Sequence, residues 1–327
     1  MTWFRRILIA LAALVALIVI AGVVLVIWKP WAPQFTVDDP GPTGSRVTDR
    51  GLVANFYPTP RDARSPAVML FSGSEGGIGP HLTRQATTLQ SEGFNVLVLS
   101  WFGAPGQPQH IELIPLETFD TALAWLAEQP TVNPDRLAVF GGSKGGEAAL
   151  LVAARHPELK AVVSFAPSAV PWQGFNLAEF WTINQMGSSW SEGGQPVPFL
   201  PYATENVRSA WDGYNNAWAT ITQDDPRVIP IERYPGRLLL QCGEQDNLWP
   251  ACPMARFISE RIRARGGPQV TLLEYPDAGH ISVGVPFPAG AELPDMLATY
   301  GGTKEANAAA MADGWPTIVA LLHEALG

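Results

Sequence analysis

RLAVFGGSKGGEAALLVAAR, residues 136–155, decides the fold. It opens on RLAVF (136–140), a short apolar run of the kind that fills a strand buried on both faces. It closes on KGGEAALLVAAR (144–155), rich in the strong helix formers Ala and Leu. Between them Gly141-Gly142-Ser143-Lys144-Gly145 fits G-x-S-x-G. A serine on a sharp strand-to-helix turn has its hydroxyl exposed at the end of the sheet, the arrangement of a nucleophile elbow. The turn needs glycines because its neighbours approach closely, and the following helix N-terminus aims N–H groups at developing negative charge.

Strand and helix alternate on both sides of this stretch. Leu52–Tyr57 suits an edge strand, and Ala67–Phe71, Asn95–Ser100, Ala161–Phe165, Arg237–Gln241 and Val270–Tyr275 suit strands. Leu82–Glu92, Leu116–Glu128, Met254–Arg265 and Glu305–Leu326 carry helical spacing. The alternation predicts an α/β fold with a mostly parallel, doubly wound sheet and helices on both faces. Residues 167–235 interrupt it, with Trp172, Trp181, Trp190, Trp211 and Trp218 among Gly and Pro. This stretch reads as an inserted cap over the sheet's C-terminal edge, where ligands bind in open α/β sheets. Pockets are mostly apolar and aromatic, so Trp172, Phe175, Trp181 and Trp249 are candidate substrate-pocket residues. An irregular extension packed on the core is the alternative.

Residues 7–28, ILIALAALVALIVIAGVVLVIW, are apolar or Gly throughout. About 20 such residues cross the hydrocarbon of a bilayer, whereas a secretory h-region holds roughly 7–15. Trp28 and Trp31 suit a membrane–water interface. The reading is a single transmembrane helix and a lipid bilayer partner; a cleaved signal peptide and a buried core helix are the alternatives. Arg5 and Arg6 precede the helix, and Lys29, Asp38 and Asp39 follow it. The positive-inside rule then puts the N-terminus in the cytoplasm and the remainder in the periplasm or otherwise outside the cytoplasm. Residues 29–48, rich in Pro, Gly and Asp, read as a linker, and 49–327 as the catalytic domain.

The chain has 327 residues and a net charge of −9, with 47% apolar and 16% charged residues. That composition builds a sizeable core and is wrong for a disordered chain. Without a Lys/Arg cluster it carries no footprint for nucleic acid. Five histidines are dispersed, and Cys242 and Cys252 lack zinc spacing, so no metal and no cofactor are expected. The two cysteines either bridge in an oxidising compartment or remain buried thiols. No sequence feature fixes an oligomeric state.

A serine nucleophile needs a base, and the base an orienting acid, in chain order Ser, Asp/Glu, His. His280 follows the last strand in Pro276-Asp277-Ala278-Gly279-His280, with His81, close to the Gly-rich turn, as its rival. Asp246 follows the preceding strand within CGEQDNLWP (242–250), with Glu244 and Asp277 as rivals. Two N–H donors should face the oxyanion. Lys144 supplies one, and the loop Gly73-Ser74-Glu75-Gly76-Gly77 supplies the other, from Ser74 or Glu75.

These segments, with IPLETFDTALAWL (114–126), GGSKGGEAALLVAA (141–154), AVVSFAPSAVPWQGF (161–175) and YPDAGH (275–280), resemble the C-terminal catalytic domain of acyl-CoA thioesterases and bile acid-CoA:amino acid N-acyltransferases. Dienelactone-hydrolase-like enzymes resemble it more distantly. The resemblance implies an α/β-hydrolase fold and a Ser143–His280–Asp246 triad acting on a small-molecule acyl thioester or ester through an acyl-enzyme. The transferases of that family carry Cys at the nucleophile, so Ser143 implies water as acceptor. Transfer to an amine or alcohol is the first alternative, and a non-catalytic, membrane-tethered binding module is the second. Larger members carry a β-sandwich before the hydrolase domain, which residues 29–66 are too few to form.

Overall fold

The computed structural model describes residues 2–60 and 63–327. In chain order its elements are α1 (Thr2–Trp28), β1 (Ser45–Val47), β2 (Val53–Tyr57), β3 (Ser65–Phe71), α2 (Pro80–Ser91), β4 (Asn95–Ser100), β5 (Ile114–Pro115) and α3 (Glu117–Ala127). They continue as β6 (Val132–Gly142), α4 (Lys144–Arg155), β7 (Ala161–Phe165), β8 (Trp190–Glu192), β9 (Gln195–Pro196), α5 (Ala210–Trp218), β10 (Arg237–Gly243), α6 (Ala251–Arg265), β11 (Gln269–Tyr275) and α7 (Lys304–Leu326).

Among the described residues an eight-stranded sheet runs β1-β2-β4-β3-β6-β7-β10-β11. The first two strands are antiparallel additions at one edge, and the six from β4 onward are parallel. Alternation along each strand splits its apolar side chains between two cores, because successive residues point to opposite faces. In β3, Val68 and Leu70 join α2 and α7 on one face, whereas Ala67, Met69 and Phe71 join α3, α4 and α6 on the other. Both faces are thus covered, and every residue of β3 is buried. Winding reverses between β3 and β6, which lie side by side although β4 and α3 separate them in the chain. The carboxyl ends of these two strands therefore meet at the switch point, the usual ligand position in such sheets.

The structure adds packing detail to two stretches. Residues 29–48 do not run free: Phe35 packs edge-on to Phe102 at 5.4 Å, Val37 pairs with Ile78, and β1 extends the sheet. Pro and Gly there shape turns in a packed segment. Residues 167–235 hold short elements only, with β8 and β9 forming a small sheet with β5. Most of their buried side chains, including Trp172, Trp190, Val228 and Ile231, join the core on the α4 and α6 face. The helix α1 is exposed along its whole apolar length and is long enough to cross a membrane.

Candidate active site

Ser143 ends β6 and begins α4 with φ 54° and ψ −123°. A non-glycine residue in this region is strained, and the surroundings hold it there. Ser143 N–H donates to Phe165 O at 3.0 Å, tying the elbow to β7. Two glycines allow the close approach. A Cβ on Gly142 would lie 1.5 Å from the Phe165 ring, and one on Gly145 would lie 2.3 Å from Ser72 O. Any side chain at either position would push the elbow off the sheet.

His280 Nε2 lies 2.9 Å from Ser143 Oγ, and its Nδ1 lies 2.7 Å from Asp246 Oδ2. With Nδ1–H donated to the carboxylate, Nε2 is left to accept the serine proton. The other oxygen, Asp246 Oδ1, accepts from the N–H groups of Leu248 at 2.8 Å and Trp249 at 3.2 Å. The acid is therefore held at both oxygens and buried. Its loop is fastened twice more. Cys242 and Cys252 form a disulfide across it, and Gln245 N–H donates to Ala278 O at 2.8 Å. His280 N–H donates to Tyr300 O at 3.0 Å. The rivals go elsewhere. Glu244 pairs with Arg256, Asp277 is exposed, and His81 Nε2 lies 3.2 Å from Glu75 Oε1.

The loop after β3 lies against the serine. A Cβ on Gly73 would sit 3.2 Å from Ser143 Cβ. Ser74 and Glu75 line the same cavity as Ser143, and Glu75 Oε1 accepts from Gly73 N–H at 3.0 Å. Surrounding protein by itself raises the Glu75 pKa. The contact with His81 and the backbone N–H groups outweigh it and hold the carboxyl below its ordinary value. As the first residue of α4, Lys144 has an N–H with no acceptor within the helix.

The Lys144 side chain takes another direction. Its Nζ lies 3.0 and 2.9 Å from the two Glu147 oxygens, and both side chains are buried. Glu147 Oε1 also accepts from Trp172 N–H at 3.0 Å and Trp190 Nε1–H at 2.5 Å. Burial pushes the Lys144 ammonium down and the Glu147 carboxyl up, each offset in part by its partner. The pair ties α4 to the 167–235 stretch.

A cavity of about 510 Å³ opens at Ser143 and His280, with walls mostly apolar. Leu82, Arg84, Val283, Val285, Phe287, Met296, Leu297 and Met311 form much of it. They come from α2, the loop after His280 and α7. Arg84 lies over the Phe287 ring and donates to Val285 O at 2.7 Å, so its charge is already held. The candidate pocket aromatics are not in these walls. Trp172 is buried against Tyr202 and Tyr214, with Nε1–H donated to Ser168 Oγ at 2.8 Å. Phe175 is fixed by backbone pairing with Ile111. Trp249 packs behind His280, 5.8 Å between rings, and Trp181 is exposed beside Trp31. Of residues 167–235 only Leu177 lines the cavity. Large indoles bury well in a core, and composition does not say which side of a wall they occupy. In the loop after His280 the apolar residues Ile281, Val283, Val285 and Phe287 alternate with Ser282, Gly284 and Pro286, a period-two signal that marks one face of this segment as a wall.

Among the described residues the one close group of metal-ligand types is Cys242, Cys252 and Glu274. Its two sulfurs are joined to each other and offer no thiolate.

Residues 114–327 match the family described as BAAT / Acyl-CoA thioester hydrolase C terminal. The chain is 26% identical over 300 residues to acyl-coenzyme A thioesterase 2, mitochondrial, of Mus musculus, covering 88% of this chain and 61% of that protein. It is 25% identical over 300 residues to acyl-coenzyme A thioesterase 1 of the same species, covering 88% and 66%. The chain thus spans roughly three-fifths to two-thirds of these relatives' length. Among solved structures, a putative dienelactone hydrolase from Klebsiella pneumoniae superposes with a TM-score of 0.52 at 16% identity, over 86% of this chain and 97% of that one. A dienelactone hydrolase-like promiscuous phosphotriesterase from metagenomic libraries gives 0.53 at 16%, over 84% and 93%. These two likenesses are of fold, and that fold is the α/β-hydrolase fold. With its matched segment running from β5 through the elbow and His280 to the end of α7, the chain belongs to the BAAT / acyl-CoA thioester hydrolase C-terminal family.

Proposed function

We propose that this chain is a serine hydrolase that cleaves an acyl thioester or carboxylic ester with an apolar acyl group. The observation that carries this reading is the hydrogen-bonded series Ser143, His280, Asp246 opening on an apolar cavity of about 510 Å³. Ser143 Oγ attacks the acyl carbon while His280 Nε2 takes its proton, and Asp246 stabilises the imidazolium that forms. The oxyanion is held by Lys144 N–H and by an N–H of the Gly73–Glu75 loop. His280 returns the proton to the leaving sulfur or oxygen. It then activates the water that releases the acid. Lys144 and Glu147 serve this by position: their buried pair fixes the first turn of α4, and with it the Lys144 N–H.

The relatives named as acyl-coenzyme A thioesterases favour a thioester. In this reading α1 is retained and anchors the protein, with the N-terminus cytoplasmic and the hydrolase domain on the opposite side of the membrane. Purified full-length protein should then release acid from medium-chain p-nitrophenyl esters or acyl-CoA. Complete inactivity on both classes would overturn the reading.

A further inference from the structure

The chain leaving α1 stays against the turn that begins at Leu177, a cavity-lining residue. Lys29 pairs with Glu179, Trp31 Nε1–H donates to Ala178 O at 3.1 Å, and the Trp31 and Trp181 rings meet edge-on at 6.3 Å. A few residues on, Ile78 N–H donates to Thr36 O at 2.8 Å and Asp38 N–H to Ile78 O at 2.9 Å. The exit segment therefore links the turn that carries Leu177 to the loop that carries Ser74 and Glu75, three residues that line the cavity. Trp31 lies three positions beyond the end of α1, which limits that distance to roughly 10 Å. The headgroup layer outside the hydrocarbon is of similar depth, about 5–8 Å.

The rim itself is apolar and exposed. Leu177 is 51% exposed and Met296 61%, and both line the cavity. Phe180 at 63% and Trp181 at 46% flank Leu177 on the same 3-10 turn. Solvent-facing aromatics next to a candidate span are the composition of a membrane interface.

We propose that the Leu177–Trp181 turn and Trp31 seat in the lipid interface around the end of α1. The cavity mouth then opens at the bilayer surface and takes amphiphilic substrates whose acyl chain already lies in the membrane. The choice of substrate rests on the hydrolase reading above; the seating does not.

Two measurements on full-length protein in phosphatidylcholine vesicles test this. The native cysteines are bonded to each other, so a thiol-reactive nitrobenzoxadiazole probe reports only an introduced cysteine. In vesicles of brominated phosphatidylcholine, the probe at Phe180→Cys should be strongly quenched and blue-shifted. The probe at Arg263→Cys, exposed on α6, should be neither. Equal quenching at the two positions overturns the seating. Separately, Phe180→Glu should lower the ratio of hydrolysis of a vesicle-dissolved long-chain ester to that of a water-soluble short ester by about tenfold, since a charge on the seated face opposes burial of its apolar area. An unchanged ratio overturns the route from the membrane. If the wild-type protein hydrolyses neither ester, the hydrolase reading fails while quenching still decides the seating.

Discussion

Ser143 and Lys144 are adjacent residues, yet each heads a different polar constellation. Ser143, His280 and Asp246 meet the apolar cavity, and the serine is only partly covered. Lys144, Glu147 and the N–H groups of Trp172 and Trp190 form a buried cluster outside the walls of that cavity. Both contain a carboxylate that accepts two or more hydrogen bonds. What separates them is access: one cluster has space for a reacting atom and the other has been closed by the 167–235 stretch. A buried ion pair is a poor source of net stability but a costly one to break. The first cluster should therefore be read out in rate and the second in stability.

Ser143→Ala should break the first cluster without the second. The expected loss in kcat is about a millionfold, with stability changed by no more than about 1 kcal/mol. Kinetics beside chemical denaturation checks both; comparable activity in the variant would remove the distinction. Asp246→Asn keeps the shape but favours the wrong His280 tautomer, and kcat should fall about ten-thousandfold.

Glu147→Ala should act the other way. It leaves the Lys144 ammonium buried without its partner, at a cost of about 3–5 kcal/mol of unfolding free energy. The double change Lys144→Met with Glu147→Gln removes the charges and keeps an acceptor for Trp190, so it should recover most of that loss along with activity. Failure to recover activity at restored stability would make Glu147 more than a positioning residue. The smallest effect is expected from Cys242→Ser with Cys252→Ser, because the bridge closes a loop of sequence separation 10. About 2–3 kcal/mol should be lost. The drop in kcat should be smaller than for Asp246→Asn, since Leu248 and Trp249 N–H still hold the carboxylate.

The sheet was legible because its strands are short apolar runs buried on both faces, and Val68 and Ala67 serve opposite cores equally well. Ser143, Asp246 and His280 could be nominated as one candidate group because each follows such a run, and parallel strands bring their carboxyl ends to one edge. Sequence left Glu244 and His81 open as rivals; their neighbours Arg256 and Glu75 come near only through the fold. The cavity wall was legible only in part. Ile281, Val283, Val285 and Phe287 alternate at period two, but Leu177 and Met296 lie in segments without periodicity, and the conspicuous indoles of Trp172 and Trp190 fill the core. The span α1 needed only its length and composition, but the docking of Trp31 on Ala178 depends on tertiary contact.

The most direct test of Ser143 as the nucleophile is intact-mass and peptide mass spectrometry after treatment with a fluorophosphonate. One adduct on Ser143 is expected, absent from Ser143→Ala and formed far more slowly in His280→Ala. An adduct on any other residue, or an unmodified Ser143 in protein whose hydrolysis the reagent abolishes, would contradict the account.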